Sequence, residues 1–164
     1  MDRKDKIVRE HLLALLNGGN AHMALDEAVR DFPEEKMNMA FPNGAYSSWQ
    51  LLEHMRRSQA DILEFIASPS YKEKEWPRDY WPSKGRKCTK KEWNKTISEI
   101  KKDTKKLESL IKDPKTDLYL KVPNGTGQKF IREILLVADH NAYHIGEFAI
   151  MRQVMGTWGK DHGK

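Results

Sequence analysis

Cysteine is nearly missing from this chain: Cys88 is the single one in 164 residues. No internal disulfide can staple the fold, so stability must come from a packed core. Long hydrophobic runs are missing too. No stretch approaches the ~18 apolar residues needed to cross a bilayer, and the opening MDRKDKIVRE is charged at most positions. The expectation is a chain with neither a membrane span nor a signal peptide. Seven methionines beside a free thiol suit a reducing compartment, and the expected location is the cytoplasm. There is no Gly-rich phosphate loop, no nucleophile elbow and no Cys-x-x-Cys pair. Cys88 stands in a lysine-rich stretch whose charges would lower its pKa. With no histidine beside it in sequence, it reads as a bystander rather than a nucleophile.

What remains is ordinary globular material. Hydrophobic residues make up 38% and charged residues 32% of the chain, a balance that fits one domain over residues 1–164 with one core. The net charge of +5 is concentrated from Lys84 to Lys106, but Glu92, Glu99 and Asp103 interrupt that run. Mixed signs without aromatic platforms or a DNA-reading motif describe a solvated helix face, so nucleic acid is not the expected partner.

Four periodic segments stand out. Between Ile7 and Val29 the residues Leu12, Leu15, Leu16, Leu25, Ala28 and Val29 fall at helical spacing, which predicts a first helix kinked at Gly18-Gly19. Ser47-Ser48-Trp49-Gln50 offers a capping box for a second helix that stops before Ser68-Pro69. Thr89-Lys90-Lys91-Glu92 offers another for a third helix ending at Asp113-Pro114. Leu118 to Val122 reads as a short extended piece, and the longest periodic stretch, Gln128 to about Met155, is the fourth helix. Pro69 to Lys87, with Trp76, Tyr80 and Trp81, is too long for a tight turn and either crosses the fold or covers a site. The predicted class is all-α, an up-down four-helix bundle with its long connection between helices two and three.

Chemistry concentrates in Asp139-His140-Asn141-Ala142-Tyr143-His144, where two imidazoles stand one helical turn apart on one face. A bare His-x-x-x-His is a weak motif. His54 adds to it, because it lies on the stripe Leu51, His54, Ser58, Ile62, Phe65 among core positions of the second helix. Burying three unpaired imidazoles is unfavourable, and sharing one cation removes the penalty while leaving coordination positions open. His11 and His22 sit eleven apart on nearly one face of the first predicted helix, and His22 is a candidate to line the same cavity. Glu147, one turn beyond His144, is a candidate fourth ligand, general base or ion-pair partner. Glu53 and Asp139 point about 100° away from the neighbouring histidines, which suits cross-helix or surface roles.

Three stretches carry a family resemblance: Trp49-Gln50-Leu51-Leu52-Glu53-His54, Trp76-Pro77-Arg78-Asp79-Tyr80-Trp81-Pro82 and Ala138-Asp139-His140-Asn141-Ala142-Tyr143-His144-Ile145-Gly146, with Gly18-Gly19-Asn20-Ala21-His22 upstream. In this order they resemble the DinB-like family, the YfiT/DinB superfamily of bundle metalloenzymes. The resemblance implies a four-helix bundle, a homodimer, and a divalent ion on His54, His140 and His144, nickel or zinc first and manganese or iron as alternatives. It further implies reaction of a low-molecular-weight thiol such as bacillithiol or mycothiol with an electrophile, although many members have no assigned reaction. The chain departs from close members at Asn20 and Glu147, where they carry His and Gln. Two functions follow as expectations. One is a metal-dependent transferase or hydrolase acting on a small-molecule thiol or electrophile, with Glu147 or His22 handling the proton. The other is a non-catalytic stress or ligand-binding protein built on the same metal site.

Overall fold

The structure, a computed structural model, describes residues 2–159. Its elements are helical: α1 (Arg3–Asn17), a short α2 (Leu25–Val29), a single 3-10 turn (Glu34–Lys36), α3 (Ser48–Ala67), α4 (Lys90–Lys112) and α5 (Phe130–Val154). None is long and apolar enough to cross a membrane. The two capping boxes are formed as the sequence reads. The Ser47 hydroxyl accepts the Gln50 amide while the Gln50 side chain accepts the Ser47 amide, and Thr89 and Glu92 do the same for α4.

The first predicted helix is corrected. Apolar spacing continues from Ile7 to Val29, but the backbone does not, because Gly18 and Gly19 adopt φ of 67° and 80°. Two successive residues in the left-handed region end a right-handed helix outright rather than kinking it. The segment therefore becomes α1, a loop and α2, and the argument that placed His11 and His22 on one face lapses. Leu118 to Val122 forms no strand either. A single antiparallel bridge joins Lys121 to Lys129, with the Val122 amide donating to Gln128 O at 2.9 Å.

Helix α3 packs on α4 and α5, α1 packs on the same two, and α2 lies on α5. The core is divided. One apolar cluster gathers Trp49, Leu51, Leu52, Met55, Trp93, Ile100, Phe148 and Met151 with Phe32 and Met37, and the other gathers Leu12, Leu16, Leu63, Ile66, Leu107, Ile111, Ile134 and Val137. Along α5 the gap between them holds His140, Asn141 and His144. Along α3 it holds Ser58 and Gln59, with His54 at its edge. A polar belt thus crosses the middle of the fold. Gln59 donates to Ile100 O at 2.8 Å and to Thr104 Oγ1 at 3.1 Å, and Asn141 Nδ2 donates to Gln59 Oε1 at 2.8 Å, so the belt ties three helices together.

Two buried arginines close the ends. Arg9 donates to the carbonyls of Ile111 at 2.7 Å, Asp113 at 3.0 Å and Thr116 at 2.7 Å, and pairs with Asp5. It satisfies carbonyls that the end of α4 leaves without helical partners. Arg152 similarly holds the Ala28, Arg30 and Thr157 carbonyls.

Two outcomes follow from this packing. Replacing Arg9 by Leu strands those carbonyls and should lower the unfolding free energy in urea by about 2–4 kcal/mol, whereas exposed Arg3→Ala should stay within about 0.5 kcal/mol. Cys88 is buried, and burial, reinforced by Glu92, pushes its thiol up to about 11 rather than down as the lysines suggest. Because only the thiolate reacts, the folded protein at pH 8 should alkylate far more slowly with iodoacetamide than the same chain in denaturant, and its rate should climb as the pH approaches the raised value. Equal rates folded and unfolded would contradict this placement.

Candidate metal centre

His54 comes from the second turn of α3, and His140 and His144 come from successive turns in the middle of α5, so the packing of two helices suffices to bring them together. One nitrogen from each lies within 4.8 Å of the others. His54 and His144 are 3% and 7% exposed, and His140 is half-buried. The Nε2 atoms of His54 and His140 face one another at 3.3 Å. Two nitrogens each about 2.0–2.1 Å from one tetrahedral ion lie about 3.3–3.4 Å apart, so this separation suits a shared cation. Burial, with a contribution from the neighbouring imidazole of His144, depresses both His54 and His140 to about 4. At neutral pH they are uncharged, the state a metal ligand requires.

The outer nitrogens are engaged in ways that aim the inner ones. His54 Nδ1 lies 3.1 Å from the Tyr80 carbonyl, which can only accept, so the proton sits on Nδ1 and the Nε2 lone pair is free. His144 Nδ1 donates to Glu147 Oε2 at 2.6 Å, leaving its Nε2 free in the same way. Glu147 Oε1 in turn accepts the Tyr46 hydroxyl at 3.0 Å, and burial together with that carboxylate pushes Tyr46 up to about 12. A carboxylate behind a histidine is the arrangement that fixes ring orientation and raises basicity at metal sites.

The connection between α3 and α4 covers the site. Trp81 stacks on His54 with centroids 3.9 Å apart and planes 5° from parallel, and Trp76 stands edge-on to His54 at 6.1 Å. Tyr80 is anchored by its hydroxyl, which donates to the buried Asp61 at 2.6 Å, and burial with that carboxylate raises its pKa. Between this cover and α5 lies a cavity of about 600 Å³, lined with the histidines by Ser58, Phe65, Trp76, Arg132, Leu136 and Tyr143. That volume is of the size that takes a small molecule.

The other sequence candidates are distributed elsewhere. His22 bonds Met23 O through Nδ1 at 2.8 Å and lines a separate cavity with Leu15, Asn17 and Lys101. His11 is exposed on α1, and Asp139 is exposed on α5. Glu53 takes the cross-helix role, receiving Arg56, Arg57 and Thr96 Oγ1 of α4. Tyr46, the Tyr80 carbonyl, Gln59 and Asn141 were not singled out from the sequence. Tyr46 and Glu147 are 101 residues apart, a backbone carbonyl carries no residue signature, and Gln59 has no periodic signal beyond its place on a helix.

Comparison with curated proteins and with solved structures gives no match. Residues 19–148 match the DinB superfamily. That span contains the whole of α3, α4 and the covering connection, and all three clustered histidines. The chain is a member of the DinB superfamily.

Proposed function

We propose that the protein is a divalent-metal-dependent enzyme, with nickel or zinc on His54, His140 and His144, that joins a small-molecule thiol to an electrophile or hydrolyses one. The observation that carries this reading is the convergence of three imidazoles, two of them with their outer nitrogens held by acceptors, at the wall of a small-molecule cavity. Three protein ligands leave a coordination position open, which distinguishes a reactive centre from a closed structural one. When bound, the cation would act as a Lewis acid that lowers the pKa of a thiol or water at that position. Such a centre belongs with an up-down arrangement of the four long helices, in which side chains of different helices meet inside the bundle.

The chain's own residues hold and shape this centre. Glu147 keeps the His144 proton on Nδ1, and Tyr46 keeps Glu147 in place from the loop before α3. Trp81 fixes the plane of the His54 ring. Trp76, Phe65 and Leu136 give the cavity apolar walls. Glu147, bonded to His144, is the carboxylate we assign to the proton released by the nucleophile, whereas His22, in its separate cavity, is not placed for that task.

A homodimer is part of the proposal, with a changed surface. Of the apolar strip Ile131, Leu135, Ala138, Ala142, Ile145 and Ala149, the chain buries Ala138 and Ile145 in its own interior. The apolar side chains that α5 leaves exposed are Leu135, Tyr143, Ile150 and Val154, and a second copy would cover them.

Four measurements on untagged protein check these statements. Elemental analysis after reconstitution should find about one ion per chain, sharply less in His54→Ala and His144→Ala, and no loss in His11→Ala or His22→Ala. Absence of metal in the wild type would sink the reading. Glu147→Ala should weaken metal affinity about 10–100-fold, the usual effect of losing such a partner, while Glu147→Gln keeps an oxygen to accept His144 and should hold its metal. If Glu147 also takes the proton, Glu147→Gln should lose about 10²–10⁴ in rate on thiol and electrophile pairs with the metal in place. Light scattering at tens of micromolar should give twice the chain mass, and Ile150→Arg should give the monomer. A monomeric wild type would remove the dimer.

A further inference from the structure

We infer that Arg57 is a positioning residue that sets which nitrogen of His54 carries its proton, acting through the peptide segment Asp79–Trp81. The inference rests on the reading of His54 as a metal ligand, but its first test does not involve metal. Arg57 stands one turn beyond Glu53 on α3, with its Nε donating to Glu53 Oε1 at 3.0 Å. Its Nη1 donates to Trp81 O at 3.0 Å and reaches Asp79 O at 3.4 Å. Those carbonyls flank Tyr80, and the Tyr80 carbonyl receives the His54 Nδ1 proton at 3.1 Å. Arg57 therefore clips both sides of the peptide that orients His54.

Other ties on this segment act on rings and amides. The Tyr80 hydroxyl is held by Asp61, the Tyr80 and Trp81 amides both donate to Pro77 O, and Trp81 packs on Tyr46 and His54. The Trp81 amide shares its peptide plane with the Tyr80 carbonyl, so its bond to Pro77 O holds that plane from the amide side, while Arg57 holds the carbonyls of the peptides on either side of it. The clip itself is rigid because Glu53 is only 8% exposed and is gripped by Arg56 through two bonds of 2.7 and 2.8 Å and by Thr96 of α4 at 3.1 Å. A planar guanidinium with a fixed fork of donors can bridge a carboxylate and two carbonyls at once, which a lysine ammonium cannot do in the same geometry.

The setting has a competitor. Ser58 Oγ lies 3.5 Å from the same His54 Nδ1. While the Tyr80 carbonyl holds the Nδ1 proton, the hydroxyl has nothing to donate to there. If that carbonyl turns away, Ser58 can donate its proton to a bare Nδ1, and the imidazole proton moves to Nε2, the nitrogen that faces His140 at 3.3 Å. His54 would then present an N–H to the ion instead of a lone pair. The pair Glu53–Arg57, outside the cluster, thus helps to keep the third ligand available.

The test uses the full-length, metal-free chain with isotope-labelled histidine and long-range proton–nitrogen correlation spectra, His54 being assigned with His54→Gln. The wild type should show His54 protonated at Nδ1. Arg57→Gln should move the proton wholly or partly to Nε2, and zinc affinity measured by competition with a chromogenic chelator should fall about 10–100-fold. Arg56→Gln, which loosens Glu53 but removes no carbonyl bond, should shift the pattern and the affinity less than Arg57→Gln does. Arg57→Lys, able to hold one carbonyl, should show a mixture, and it decides the matter alone if Arg57→Gln does not fold by circular dichroism. An unchanged Nδ1 pattern in the folded Arg57 variants overturns the inference. A shifted pattern in a protein whose wild type takes no metal upholds the clip and overturns only the metal reading.

Discussion

Three imidazoles share one buried place, and most of the structure around them answers to that constraint. A neutral imidazole needs one acceptor for its N–H and one partner for its lone pair, and away from water an unmet requirement costs about 1–3 kcal/mol. The chain meets part of the requirement itself by giving His54 the Tyr80 carbonyl and His144 the Glu147 carboxylate. The remaining nitrogens converge, with those of His54 and His140 at 3.3 Å. A shared cation satisfies converging lone pairs together, and no single protein group could. The same burial that makes the cluster unfavourable without an ion keeps His54 and His140 uncharged for one.

The rest of the fold positions this arrangement. Dividing the core into two apolar clusters creates a polar belt at the height of the histidines, and Gln59 and Asn141 bond that belt across α3, α4 and α5. An apolar belt would be easier to pack, but the amides fix the relative register of the helices that deliver the histidines. Arg9 and Arg152, each collecting carbonyls from helix ends and the turns after them, hold the outer helices without disturbing that register. The covering connection then adds what helices alone cannot: a backbone carbonyl for His54, an indole against its face and a wall for the cavity.

Much of this was legible in the residues because the relevant signals are local. The capping boxes at Ser47 and Thr89, the proline stops and the spacing of His140 and His144 each depend on neighbours within one or two turns, and the structure forms them where the sequence puts them. The failures have equally physical causes. Apolar periodicity ran across Gly18 and Gly19 because it records which face is buried and not whether the backbone between is continuous. His22 looked close to the centre only through that false continuity. The partners of the site, Tyr46 for Glu147 and the Tyr80 carbonyl for His54, arise from contacts between distant segments, and one of them is main chain. For Cys88 only the direction of its pKa shift was missed, since sequence shows the lysines beside it and not the packing that buries it, while its reading as a bystander agrees with that burial.

The central claim is that the three histidines act as one centre on one ion. X-ray absorption spectroscopy of zinc- or nickel-loaded protein reads that most directly, because imidazole rings give a distinctive outer-shell scattering pattern. The account predicts about three imidazole nitrogens at about 2.0–2.1 Å, completed by light donors from solvent or substrate. One imidazole or none around the ion, with the histidine variants giving the same spectrum, would contradict it.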